Sequence, residues 1–164
     1  MNYIKKTLLQ DEQIIYDTRP HWIIFFPAAI LVTFLLFFLL FGDAFLPDFA
    51  IFGYSIPAFI DLALFVAVVY QVIVTYIRYA TSEYGVTNQR IIIKVGFVSR
   101  ATWEVLLKRV ESIQVDQTVM GRVLNYGTVV IRGTGGSRDA FNYIPNPLEF
   151  RKIAQQEIAQ SQKL

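Results

Sequence analysis

The chain has 164 residues, 54% of them apolar and 17% charged, with a formal net charge of +2; soluble domains run nearer roughly 45–50% and 25%. That length allows one ordinary domain, or a membrane anchor joined to a small one. The absence of cysteine excludes disulfides, thiolate metal sites and a cysteine nucleophile, and the single histidine, His21, excludes a multi-histidine metal site within one chain.

Residues 1–21 read as a short cytoplasmic lead with three basic and three acidic groups. Ile14, Ile15 and Tyr16 form a small β-like run closed by Thr18-Arg19-Pro20, where Pro20 biases Arg19 away from helix. His21 and Trp22 then mark a membrane interface, since an indole suits the headgroup layer.

Residues 22–77 carry no Lys or Arg. Within them 22–41 is an uncharged run long enough for a hydrocarbon core of ~30 Å at ~1.5 Å per residue. It exceeds the roughly 7–15 apolar residues of a cleaved signal, and no small-x-small site closes it. The link 42–56 is rich in helix breakers: Gly42, Asp43, Pro47, Asp48 and Gly53. A second span, 57–77, opens with Pro57 in the first-turn position that proline favours. Two polar residues fall inside it. Asp61, one turn in, reaches water or caps its own helix end, and Gln71, deeper, is placed to bond another helix. Two such residues are too few for an ion path. Lys5, Lys6 and Arg19 precede the first span, Arg78 follows the second, and the link has no basic residue. The positive-inside rule therefore puts both termini in the cytoplasm.

Residues 78–164 hold twelve basic groups against seven acidic. Short β-rich runs are expected at Tyr84–Thr87, Arg90–Val95, Phe97–Leu107, Ser112–Thr118, Thr128–Arg132 and Arg138–Ile144, with a turn over Leu106–Glu111 and a helical turn over Val119–Leu124. Gly133–Gly136 reads as a hairpin tip rather than a phosphate loop, since no Lys-Ser/Thr follows it. Gly127 is expected to supply a positive φ. Asn146, Pro147 and Glu149 form a capping-box variant before the apolar stripe Phe150, Ile153, Ala154 and Ile158, so a C-terminal helix docks on the sheet. The expected fold class is an α+β membrane protein: a two-helix transmembrane hairpin and a small β-barrel of pleckstrin-homology (PH-like) plan, closed by a C-terminal α-helix. The segments are the lead 1–21, the hairpin 22–77 and the PH-like domain 78–164.

Tyr84-Gly-Val-Thr-Asn-Gln-Arg-Ile-Ile-Ile, Val110-Glu-Ser-Ile-Gln-Val-Asp-Gln, Gly121-Arg-Val-Leu-Asn-Tyr-Gly-Thr-Val and Ile131-Arg-Gly-Thr-Gly-Gly resemble the membrane-anchored bacterial pleckstrin-homology domain family of the second type. Thr18-Arg-Pro-His-Trp ahead of a two-helix anchor matches the same layout, and the resemblance covers nearly the whole chain. It implies the fold, the anchor and a place in the bacterial inner membrane. It transfers no catalytic residue, and it makes self-association an expectation.

No spacing pairs Glu104, Glu111, Asp116 and Asp139 for acid–base work, and His21 reads as interfacial. No catalytic residue, cofactor, metal or nucleic-acid partner is therefore expected. Arg90 and Lys94 share strand parity, and Arg132 lies opposite the core-facing Val129 and Ile131. These cations, with Arg100, Lys108, Arg109 and Arg138, are the candidate surface for an anionic headgroup or an acidic partner. A solvated face with positive-inside bias gives the same pattern. Ile92 and Val130 are apolar on the face that should be outside, which marks them as a candidate association surface, or as residues covered on both faces by the lead strand, the closing helix or another subunit. Two functions follow as expectations. One is an interaction or scaffold module at the cytoplasmic membrane face, binding copies of itself or another membrane-associated protein. The alternative is a module that reads anionic phospholipid headgroups.

Overall fold

The computed structural model describes residues 3–45, 50–51, 54–96, 101–134 and 138–162. The chain divides into two compact units: Met1–His21 together with Arg78–Leu164, and Trp22–Ile77.

The first unit is built from two antiparallel sheets and a closing helix. One sheet has the order β1-β4-β5-β6, from β1 (Ile14–Thr18), β4 (Glu83–Thr87), β5 (Arg90–Val95) and β6 (Ala101–Leu106); the other has β7 (Val110–Asp116), β8 (Tyr126–Gly133) and β9 (Arg138–Pro145) in sequence order. Among the described residues this unit has the six strands expected after the second apolar run, joined by the β-like run expected before the first. Tyr16 pairs with Val86 and Thr18 with Tyr84, so the lead is a strand of this unit and not a free segment. A short helix, α1 (Tyr3–Lys6), precedes it.

Alternation explains the core. Tyr84, Val86, Ile91 and Ile93 from one sheet meet Ile113, Val129, Ile131, Phe141 and Ile144 from the other, and Phe150 and Ala154 of the closing helix α5 (Pro147–Ser161) join them. Tyr16 meets Phe150 edge-on at 5.9 Å, and Trp103 meets Phe141 likewise at 5.7 Å. Burial pushes the Tyr84 phenol up to about 12, and its hydroxyl donates to the carbonyl of Asn142 across the sheets at 3.2 Å.

The two sheets do not close into the expected barrel. Between β6 and β7 the chain takes a 3-10 turn, Leu107–Arg109, in place of continued pairing. On the other side β1 ends at Thr18, Pro20 two residues on has no N–H to donate, and His21 N–H donates to the Tyr143 carbonyl of β9 at 2.6 Å.

Two sequence expectations about turns change. Gly127 does not carry the positive φ; Asn125 does, at 58°, with Tyr143 and Asn146 at 61° and 46°. Gly127 is needed for space instead, because a Cβ there would lie 2.9 Å from the Asp116 carbonyl oxygen and 3.0 Å from Pro147 Cγ. Asn146 makes no side-chain cap on α5. Its Oδ1 accepts from Asn125 Nδ2, which ties two left-handed residues together, while Pro147 begins the helix as expected. The hairpin tip after Gly133 lies partly outside the described residues.

The second unit holds a 3-10 turn, Trp22–Phe25, running into α2 (Phe26–Phe45), a two-stranded ribbon of β2 (Ala50–Ile51) and β3 (Tyr54–Ser55), and α3 (Ile56–Thr81). Both helices are long and apolar enough to cross a membrane, over Trp22–Gly42 and Ile56–Thr81, and only 11% of each window is buried in the protein. The helix of the second run continues past Ile77, since nothing in Arg78–Thr81 breaks it, and ends as Ser82 N–H bonds the Arg78 carbonyl at 3.0 Å.

Candidate functional site: a basic rim at one end of the PH-like unit

The seven cations singled out by sequence fall into separate places. Arg90 is 9% exposed and faces a buried cluster in place of solvent. Its Nε and Nη2 each donate to a carboxylate oxygen of Glu12 at 2.9 Å, Nη1 donates to Glu104 Oε2 at 2.6 Å, and Nη2 also reaches the Thr7 carbonyl at 2.8 Å. The Thr87 hydroxyl donates to Glu12 Oε1 at 2.7 Å and accepts from the Gln89 and Arg90 N–H groups at 3.2 and 3.0 Å. The Val-Thr-Asn-Gln-Arg run is thus a turn that aims Arg90. Burial raises the Glu12 carboxyl, but the hydrogen bonds from Arg90, Leu9 N–H and Thr87 outweigh that and hold it below its ordinary value.

The strand parity read from sequence holds, yet the outward face of β5 is covered. Arg90 meets Glu12. Ile92 pairs with Gly85, over which the Ile4 δ-methyl sits where a Cβ would be, at 2.7 Å. Lys94 Nζ stands 4.6 Å above the Tyr3 ring. Three outward residues are therefore each met by the segment before the hairpin, and that segment is the cover for Ile92. Ile92 is 0% exposed and Val130 2%, so neither offers the association surface expected of them. Arg100 lies outside the described residues.

Four cations remain exposed and share one end of the unit. Lys108 and Arg109 project from the 3-10 turn after β6, and Thr134 N–H donates to the Arg109 carbonyl at 2.8 Å, bringing that turn against the end of β8. Arg132 and Arg138 are exposed and stand directly opposite each other on β8 and β9. Like charges in that register destabilise a sheet, and among the described residues neither forms an ion pair. Glu111 and Asp139 are the acidic residues nearest in sequence.

The rim is remote from both junctions with the apolar helices. β8 runs from Tyr126, whose ring stacks on His21 at 5.3 Å, to Arg132 six residues on, about 20 Å at ~3.3 Å per residue. The second junction leads into Glu83, which pairs with Lys94 at the end of β5 away from Arg90. Arg90, in turn, pairs with Leu106 beside the rim.

The intramembrane candidates sit on α3. Asp61 has one buried carboxylate oxygen, Oδ1, without a hydrogen bond, and Gln71 is half-buried. Among the described residues no three His, Asp or Glu side chains come together as a metal site.

Sequence reasoning missed Glu12, whose partner lies 78 residues on; an acidic residue in an otherwise β-like lead was the available signal. It also missed the exposure of Val119, Met120 and Val123 on α4 (Val119–Val123).

Two antiparallel sheets packed face to face and closed by one C-terminal helix define a PH-like domain. The family model for the bacterial PH domain matches residues 28–158, and the chain belongs to that family. No curated protein matches it in sequence. PH-like domains are in general not catalysts.

Proposed function

We propose that the chain is a membrane-anchored PH-like interaction module whose basic rim docks an acidic protein partner near the cytoplasmic face of the bacterial inner membrane. The hairpin 22–77 is the anchor, and Lys108, Arg109, Arg132 and Arg138 are the docking cations. The observation that carries this reading is the Arg132–Arg138 pair, an uncompensated cross-strand juxtaposition that costs stability and so calls for an external anion.

The anchor is supported by the low burial of both apolar helices, 11% of each window, which suits lipid-facing spans better than core helices. A cleaved signal fits poorly, because cleavage after the first span would remove β1 from its sheet. Both ends of the hairpin belong on one side of the bilayer, since β1 and β4 flank it in sequence and pair in one sheet. The flanking Lys5, Lys6, Arg19 and Arg78 make that side the cytoplasm.

The alternative, a reader of anionic headgroups, draws on the basic excess of residues 78–164. It is weakened by the ~20 Å along β8 between the His21 stack and the rim, about two and a half screening lengths at physiological salt. Purification of the full chain in mild detergent, with mass spectrometry of what accompanies it, tests the choice. A companion protein that is lost with Arg132→Glu/Arg138→Glu and stripped by salt supports the rim. Equal retention by wild type and variant, or selective retention of anionic lipid alone, overturns it.

A further inference from the structure

The short helix α4 turns its apolar side chains to solvent. Val119 is 77% exposed, Met120 59% and Val123 74%, although such residues ordinarily face inward. The backbone holds them there. Thr118 Oγ1 accepts from Gly121 N–H at 3.0 Å, and Gln117 Nε2 donates to the carbonyls of Gly121 and Tyr126 at 3.3 and 3.0 Å. Gly121 lies so close to the strand that a Cβ would fall 2.7 Å from the Tyr126 carbonyl oxygen. The inward side of the helix is thus a buried glycine, and the valine–methionine–valine face points out.

This face stands at the end of the PH-like unit where the chain passes to the first apolar helix. The His21 imidazole hydrogen-bonds the backbone of Leu124, directly after α4. The His21 ring stacks on Tyr126, and its backbone N–H donates to the Tyr143 carbonyl. The next residue in the chain is Trp22, the start of the span. Arg122, exposed, projects from the same helix. Three side chains expose on the order of 300 Å², below the roughly 500 Å² per partner of a specific protein interface of ~1,000 Å² in total. They suit the headgroup–acyl boundary, into which interfacial helices dip by about 5–10 Å.

We infer that α4 is an interfacial wedge: Val119, Met120 and Val123 enter the boundary layer of the bilayer that the two apolar helices cross, with Arg122 against anionic headgroups beside them. The inference rests on the anchor reading above.

The chain has no cysteine, so single-cysteine variants of the full protein in phosphatidylethanolamine–phosphatidylglycerol nanodiscs report depth directly. Three positions carry an environment-sensitive fluorophore: Val66→Cys in the second span, Val123→Cys on α4 and Thr134→Cys beside the rim. The wedge requires a blue-shifted Val123 probe, quenched by spin labels at the lipid interface and shielded from aqueous iodide, with the Thr134 probe open to iodide. A Val66 probe beyond the reach of lipid quenchers overturns the anchor itself. A Val66 probe in lipid with a Val123 probe open to iodide overturns the wedge alone. A Val123 probe shielded from both quenchers shows a protein cover and also overturns it.

Discussion

Arg90 closes a two-pronged ion pair on Glu12, Nε to Oε1 and Nη2 to Oε2 at 2.9 Å each, across 78 residues of sequence. The pair joins the segment before the hairpin to the β5 strand after it. The Glu12 side chain is fully buried and that of Arg90 is 11% exposed, so solvent screens the contact weakly.

Removing one partner should therefore cost more than removing both. Glu12→Ala leaves a buried guanidinium short of its anion, and a loss of about 3–5 kcal/mol is expected. Glu12→Leu with Arg90→Met keeps the volume without the charges and should recover most of it. Chemical unfolding of the full chain in detergent measures the difference; equal losses in the two variants would mean the pair is not a desolvated contact.

Acid should weaken the PH-like unit in two stages. Burial holds His21 below its ordinary 6.5, against the opposing hydrogen bond with Leu124, and the Arg90 cluster holds Glu12 below its ordinary 4.5. Each folded value lies below the unfolded one, so the unfolded chain binds more protons and stability rises with pH in both windows. The His21 contribution is present above 6.5 and is lost as pH falls below it. The Glu12 contribution is present above 4.5 and is lost below that. Thermal melts from pH 8 to pH 3 should show both declines, and His21→Phe should remove the first alone.

Arg132→Thr separates stability from docking. Relief of the repulsion with Arg138 should stabilise the sheet by about 0.2–1 kcal/mol. The same change should weaken an acidic partner, and Arg132→Glu/Arg138→Glu should do so by about thirtyfold if each reversed charge is worth ~1 kcal/mol. A variant that melts higher and still retains its partner at wild-type strength would remove the rim from the function.

Gly127→Ala places a methyl against the Asp116 carbonyl, Gln117 Cγ and Pro147 Cγ, all within 3.0 Å. Because backbone is among the obstacles, overpacking of about 1–3 kcal/mol is expected. Gly85→Ala meets the end of the Ile4 side chain, which can swing aside, and should cost less. Paired denaturation curves test the order.

Local pattern carries much of this fold. The apolar runs, the strands after them and the helix begun by Pro147 are all written in residues close together. What parity cannot convey is what lies over a face. Arg90, Ile92 and Lys94 do share one side of β5, but Glu12, Ile4 and Tyr3 come from the far side of the hairpin to cover it. The pairing of β1 with β4 spans more than sixty residues, and no short window contains it. The rim is half-legible for the same reason: Arg132 and Arg138 are neighbours by hairpin register, whereas Arg109 joins them through the pairing of Val110 with Gly133 and the bond from Thr134.

The donation of β1 from before the hairpin has a consequence for biogenesis. Synthesis makes β1 first and its partner β4 only after both apolar helices, so under the anchor proposed above the sheet must wait for the membrane to be crossed twice. On that proposed topology, a chain that inserts a single span strands β1 on the opposite side of the bilayer from β4. Its PH-like unit then lacks an edge strand, the Glu12 anchor for Arg90 and the Ile4 cover over Ile92. Under the same proposal, folding of the PH-like unit reports insertion of both apolar helices, and misinserted copies are left open to proteolysis.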